Sequence, residues 1–488
     1  MIQSTFVLEI VKLIAGNCTK KKERYVMKMK RVVSMLLTSV MTLSLVGCGG
    51  SQSAPATDTA SESAPAATEE KSTESTEAAE ADSTTEEAQA TSDAGDGEAI
   101  DLTMWCIATE SDSNRHSYEA AIADMAEKYP NVNFTWEAFE NQSYKTKIKA
   151  AVAADEMPDI FFTWSCAFLG DFVEAGKVYC LDDTYENYKS ELPEVMMGNS
   201  TYDGKHYGVP LTMNIVGLFA NMELLKEAGY EEIPGTYDEF IACCDALKEK
   251  GIIPFGCAGK ETWCVTEYLE SVIEKSAGAD TLNDIFAGKA TWNNQDVADA
   301  VDTFQKLVNN GYFDPSGIGL TNDEVKNNFM AGKYAFYMNG TWNCADFAAN
   351  EEFFPKVKVG EFPVINADKA KLGQLIGGPS DTLAVAASSP HAKEAAEYAF
   401  ELGKLICHYG YLDGCGLPAW TPYGDTSSVN ELTQTVAGIV ADADTMVLFG
   451  DTAMNADSAN TYLSYVDQVY GCLLDGKQFI EGLSKDIQ

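Results

Sequence analysis

Four tryptophans, Trp164, Trp263, Trp342 and Trp420, stand in segments that read as loops at strand or lobe ends. Flat rings in such places serve a ligand or plug the edge of a core. The polar candidates beside them are Glu110, Arg115, Asn214, Glu261, Asn339 and Asp381, mostly carboxylates and carboxamides able to pair with hydroxyls. Asp381 follows Gly377-Gly378-Pro379-Ser380, a turn that brings backbone close to a ligand. Arg115 reads equally as a helix-surface residue, and Glu110 is equally open. Trp105 and Trp136 sit within strands and read as core, whereas Trp292, before a helix, fits either reading.

Reactive constellations are missing. His116, His206, His391 and His408 form no His-Glu-x-x-His or Cys-His cluster, and neither Gly-x-Ser-x-Gly nor Gly-x-x-x-x-Gly-Lys-Ser/Thr occurs. No catalytic residue, cofactor or metal site is assigned. Asp451, Asn455 and Asp457 lack the Gly and terminal Glu of a calcium loop and read as a solvated turn. A formal charge of -40 excludes non-specific nucleic-acid binding, because a polyanion is repelled. After Arg31 the only arginine is Arg115, so an anionic ligand held by guanidinium forks is disfavoured.

Met27-Lys28-Met29-Lys30-Arg31, the apolar stretch Val32 to Val46 and a small residue at the cleavage point make a secretory signal. Leu45-Val46-Gly47-Cys48 resembles the bacterial lipobox, in which the thiol takes a diacylglycerol and becomes the new N-terminus. Residues 1–47 are therefore expected to be a signal peptide, with the true start at Met27. Residues 48–98, rich in Ser, Thr, Ala and Glu, cannot bury enough apolar surface to offset ordering entropy and read as a disordered acidic tether. Two acyl chains would hold the protein on the outer face of the cell membrane. Of thirteen cysteines, Cys18 and Cys48 belong to the leader; most of the rest read as buried thiols.

Order begins at Ile100. Ile100 to Cys106 alternates as a strand, a helix carries Tyr118, Ala121, Met125 and Tyr129 on one face, and Val132 to Trp136 is a second strand. Tyr144 to Ala154 is helical, and Asp159 to Phe162 is a buried strand. This alternation predicts an α/β sheet, whose ligands bind beyond the carboxyl ends of the strands. The loops at Ala108 to Arg115, Glu137 to Glu140 and Thr163 to Phe168 are thereby placed near a site. Ile215 to Ala220 reads as a buried strand and Asn221 as the cap of the next helix. Thr236 and Thr321 open capping boxes, Tyr334 to Met338 is a strand, and Ser389-Pro390 starts a helix with Pro in its first turn.

Met157-Pro158 with Asp159-Ile160-Phe161-Phe162, Tyr207-Gly208-Val209-Pro210, Asn221 to Gly229 followed by Pro234 to Phe240, Phe329 to Trp342, Gly377-Gly378 and Pro390 to Phe400 recur in a telling order. Over about residues 99–488 the chain resembles the extracellular solute-binding proteins, family 1, of bacterial ABC importers, which include maltose and multiple-sugar binders. The resemblance implies a two-lobed periplasmic-binding-protein-like fold of type II, with the ligand cleft between lobes joined by hinge segments. Lobe 1 is expected over about 99–208 plus a returning segment, and lobe 2 over about 209–488 less that segment. It implies a monomer without enzymatic activity, partnered by ABC permease subunits with a separate ATPase. In similar proteins a Trp in the position of Trp342 stacks on sugar, an acid and an aromatic stand where Glu261-Thr262-Trp263 falls, and a residue at or next to Trp164 touches ligand.

The expected ligand is a neutral saccharide, an oligosaccharide in the first instance. Covering about 100 Å² of a pyranose C–H face yields roughly 2.5 kcal/mol. Two or three such platforms with hydrogen bonds reach the ~8 kcal/mol of micromolar affinity after association costs. The alternatives are the same fold holding a polyamine, peptide or polyol phosphate, and a surface glycan hydrolase, which counting carboxylate pairs does not exclude.

Overall fold

The computed structural model describes residues 99–487. The signal peptide, Cys48, the tether and the start at Met27 lie outside the described residues. Alternation sets the first strand. In β1 (Ile100–Cys106) Leu102, Met104 and Cys106 are buried while Asp101 and Thr103 face solvent. It pairs in parallel with β2 (Val132–Ala138) and β3 (Ile160–Trp164), the latter buried throughout. A hairpin of β4 (Thr201–Tyr202) and β5 (Lys205–His206) precedes β6 (Val209–Pro210).

The second sheet is built on β7 (Thr212–Asn221), ten residues all buried. Its companions are β8 (Ile253–Gly256), β9 (Tyr334–Gly340), β10 (Val357–Gly360) and β11 (Gln374–Gly378). The chain then returns: β12 (Asp381–Val385) joins the first sheet, in the order β2-β1-β3-β12-β6. Finally β13 (Leu417–Pro418) and β14 (Thr445–Val447) complete the second, ordered β14-β11-β7-β9-β8 with β10 and β13 also on β7. The long helix Ala392–Asp413 packs on Arg115–Lys128 and so belongs with the first sheet. Residues 381 to 413 thus pack with the first sheet, to which β6 (Val209–Pro210) also belongs through its pairing with β12.

Caps behave as their chemistry dictates. Asn221 accepts from the amides of Glu223 and Leu224, and Thr321 with Glu324 forms the expected reciprocal capping box, whereas Thr236 accepts from the Glu239 amide without the return bond that a capping box requires. The helix expected to start at Ser389-Pro390 starts at Ala392 instead, with Pro390 ahead of the cap residue His391. The Ser389 hydroxyl is committed to Asp159 at 2.6 Å, which ties this entry to β3 rather than to the helix.

The chain crosses between sheets at Leu211, at Pro379-Ser380 and between Asp413 and Leu417. Gly377 enters the second crossing at φ 129°, a region L-residues avoid, and a Cβ there would overlap the Asn214 carbonyl of the neighbouring strand. Gly377→Ala is expected to lower unfolding free energy by about 3 kcal/mol, measured as a shift of the urea midpoint at unchanged slope.

Candidate functional site

The carboxyl ends of β1, β2 and β3 face those of β8 and β14 across a cavity of about 270 Å³. From the first sheet come Asp112, Ser113 and Asn114 after β1, Glu140, Asn141 and Lys145 after β2, Trp164 ending β3, and Asp381 opening β12. From the second come Glu261, Trp263 and Glu267 after β8, Asn322, Asp323 and Lys326 on the helix Asn322–Met330, Trp342 and Asn343 after β9, and Phe449 and Asp451 after β14.

Three rings form a continuous aromatic wall. Trp263 and Trp342 lie 6.0 Å apart between centroids, and Trp342 and Phe449 lie 6.3 Å apart, each pair tilted at 56°. Trp263 is held in the first turn of the helix Thr262–Ala277, not in a loop. Trp342 folds back over Gly340, where any side chain would overlap its ring. Trp164 lines the cavity too, but it packs edge-on against Phe162 and Phe168, and the Lys145 ammonium stands 4.7 Å from its centroid. It is wall and core at once.

Of the sequence candidates, Trp164, Glu261, Trp263, Trp342 and Asp381 line the cavity, and five do not. Trp420 is buried against Tyr188 and Phe400, with its indole N–H donating to the Pro210 carbonyl at 2.8 Å. It is a core residue of the first lobe. Arg115 donates to Glu119 and to the Ala108 carbonyl and lies 4.6 Å over Trp136, so its guanidinium braces the loop after β1. Glu110 is exposed on the turn before it. Asn214 accepts from Thr341 Oγ1 at 3.1 Å, and Asn339 accepts from Asn343 Nδ2 at 2.8 Å and donates to Asn322 at 3.2 Å. Both asparagines orient residues of the wall from behind. Trp292, stacked on Tyr462, is core.

The candidates missed include Asp112, Glu140, Asn141, Lys145, Glu267, Asn322, Lys326, Phe449 and Asp451. Asp112 and Glu140 sit in loops already placed by the strand-end rule, which was signal enough to propose them. Asp451 carries no such mark. It is buried and pairs with Lys145 at 2.8 Å across the cleft, so the turn expected to be solvated closes one side of the cavity instead. A second bridge runs from Ser113 Oγ to Asp346 at 2.8 Å, and Asp346 in turn holds Lys326 at 2.6 Å.

Seven carboxyl groups and two lysines line the cavity, and both lysines are already paired. Burial pushes Asp381 up to about 7, with the nearby Asp112 carboxylate adding to the effect, and burial raises Asp112 to about 6. Glu261 is raised by burial as well, against a bond accepted from the Asn322 amide at 3.0 Å. Among the described residues, eight buried side-chain polar atoms find no hydrogen-bond partner, and five belong to this cavity: Asn141 Oδ1, Trp263 Nε1, both oxygens of Glu267 and Asn343 Oδ1. Native interiors satisfy nearly all such atoms, so their concentration here sets the lining of this cavity apart from the rest of the interior.

A two-lobed α/β receptor with one polar, aromatic-walled cleft is a solute-binding architecture. The family model described as bacterial extracellular solute-binding protein matches residues 111–401, and the chain belongs to that family, whose members bind solutes and are not enzymes. An uncharacterized ABC transporter extracellular-binding protein of Pyrococcus horikoshii is 21% identical over 63% of this chain and 68% of its own. The multiple sugar-binding protein of Streptococcus mutans is 25% identical over 56% of this chain and 65% of its own. The chain thus spans about two thirds of the length of these relatives. A solved structure from work on xylan utilization by Caldanaerobius polysaccharolyticus is 34% identical, with a TM-score of 0.77 over 80% of this chain and all of that one. A chitin oligosaccharide binding protein, 23% identical with a TM-score of 0.73, shares the fold. Among the described residues no helix is long and apolar enough to cross a membrane.

An acid whose folded pKa lies above its unfolded value binds more protons when folded, so stability falls as pH rises between the two values. The ligand-free chain should therefore lose stability from about pH 4 to about pH 7, where Asp112 and Asp381 ionise. Asp381→Asn should flatten that slope and raise the melting temperature at pH 8 by about 2 °C, read by calorimetry across pH.

Proposed function

We propose that this chain is the extracellular receptor of an ABC importer, capturing a neutral saccharide and delivering it to a membrane permease served by a separate ATPase. The carrying observation is the aromatic wall of Trp263, Trp342 and Phe449 set among unpartnered hydrogen-bonding atoms of both kinds. Sugar rings present C–H faces to such a wall, and hydroxyls both donate and accept. The sugar-binding relative in Streptococcus mutans and the neighbour from xylan utilization support the class of ligand. The cavity is at the small end of ligand sites, which suits a short saccharide or the inner end of a longer one.

Acid excess favours one rival, a polyamine. The orphaned Trp263 indole N–H speaks for the saccharide instead, because a polyammonium chain offers that donor no acceptor. Polyol phosphates and acidic peptides meet seven carboxyl groups with no unpaired lysine to receive them. Capture proceeds by population shift: the ligand binds both cleft walls only when the lobes are closed, so it favours that state. The protein acts as a monomer, held through Cys48 by a diacylglycerol and spaced from the membrane by residues 48–98.

Thermal-shift titration of the full chain with xylotriose, diacetylchitobiose, maltotriose and spermidine tests the ligand class. At a hundredfold excess over Kd the right sugar adds about 2.7 kcal/mol, and Trp342→Ala should weaken it at least about tenfold. Stabilisation by spermidine alone would sink the sugar reading. For the anchor, Cys48→Ser should move the protein from the membrane fraction to the medium of expressing bacteria; unchanged membrane retention rejects lipidation there.

A further inference from the structure

The helix Thr262–Ala277 carries three glutamates on successive turns, Glu267, Glu270 and Glu274, all essentially out of contact with solvent. Two are accounted for by the fold. Glu270 accepts from the Tyr462 hydroxyl at 3.0 Å and from the Gly450 amide at 3.1 Å, and Glu274 pairs through Oε2 with Lys275 at 3.3 Å, only its Oε1 being left without a partner. Glu267 differs. It lines the cavity, is 1% exposed, and neither carboxyl oxygen has a hydrogen-bond partner. Burial, with repulsion from Glu270 and Asp451, holds its carboxyl well above the usual carboxylate range; the Gly340 amide, whose own bond goes to Asn339 Oδ1 at 3.0 Å, is the smallest influence and opposes this.

The charged neighbours offer no relief. Glu270 on the same helix and Asp451 after β14 both repel Glu267, and Lys145 across the cleft is spent on Asp451. Tyr337 and Tyr268, the polar neighbours from β9 and from its own helix, give their hydroxyl protons to Asn322 and to the Gly256 carbonyl. A buried carboxyl left this way is destabilising, and no fold requirement visible around it explains its retention.

We propose that Glu267 is the specificity-determining residue of the cleft, its two oxygens reserved for two adjacent free hydroxyls on the innermost ring of the bound saccharide. This rests on the carbohydrate reading above. Without ligand the buried group is held protonated; vicinal hydroxyls present two donors at matching separation and so favour the carboxylate, which accepts both side by side. The Trp263 indole, one turn earlier on the same helix face, supplies the donor for a neighbouring oxygen of that ring. A ring lacking either hydroxyl, or carrying an acyl or alkyl group on it, leaves Glu267 buried and unpaired and is rejected.

The test uses the full chain with xylotriose, or with the panel sugar that binds more tightly, and its singly deoxygenated derivatives. Glu267→Gln should melt at a higher temperature than wild type without ligand and bind the sugar about tenfold to a hundredfold more weakly. Two deoxy derivatives, at neighbouring positions, should lose a similar factor against wild type and nothing further against Glu267→Gln. Should Glu267→Gln not fold, Glu267→Met, apolar and of similar volume, carries the same readouts; failure of both makes the carboxyl structural and overturns the proposal. Equal affinity of wild type and variant overturns it too, leaving the carbohydrate reading intact. Binding of no saccharide by wild type removes that reading itself, and the proposal with it.

Discussion

A ten-residue strand buried along its whole length has to find hydrogen-bond partners on both edges, because each unpaired amide or carbonyl in the interior costs as much as a lost bond. Strand β7 meets that demand piecemeal. Its first two residues pair with β13, Asn214 and Ile215 with β11, Val216 to Ala220 with β9 and Leu218 to Asn221 with β10. Four segments from remote parts of the chain are thereby fixed along one line. The strand entering the crossing at Pro379-Ser380 and the Thr341-Trp342 turn are placed by the same pairings, so the position of Trp342 in the aromatic wall follows from satisfying one backbone.

Much of this was legible in sequence. Strand alternation, caps and the α/β class follow from local physics, because period and capping chemistry are decided within a few residues. So did the rule that strand ends hold the site. What sequence withheld was direction. Trp342 and Trp420 occupy similar irregular segments, yet one turns toward the cleft and the other into the helix Ala392–Asp413, a choice made by elements far away in the chain. Lys145 and Asp451 meet across 306 positions, a proximity no single sequence encodes visibly.

Glutamate within a helix usually marks a solvated face, and Glu267 is buried because its helix is covered on nearly every side from Cys264 onward. Asn214 and Asn339 tell the complementary story: their polarity is fully spent inside the fold, and their contribution is to hold Thr341, Asn322 and Asn343 still.

Among the described residues eight cysteines, Cys106, Cys243 and Cys407 among them, are buried free thiols, and burial raises these three to about 12, 12 and 11. Thiolate is the reactive form, so in the folded state this sulfur is inert. Each unfolding excursion exposes all of it together. In an oxidising medium the useful lifetime of the protein is then a kinetic quantity, governed by how seldom it opens rather than by any bond that crosslinks it.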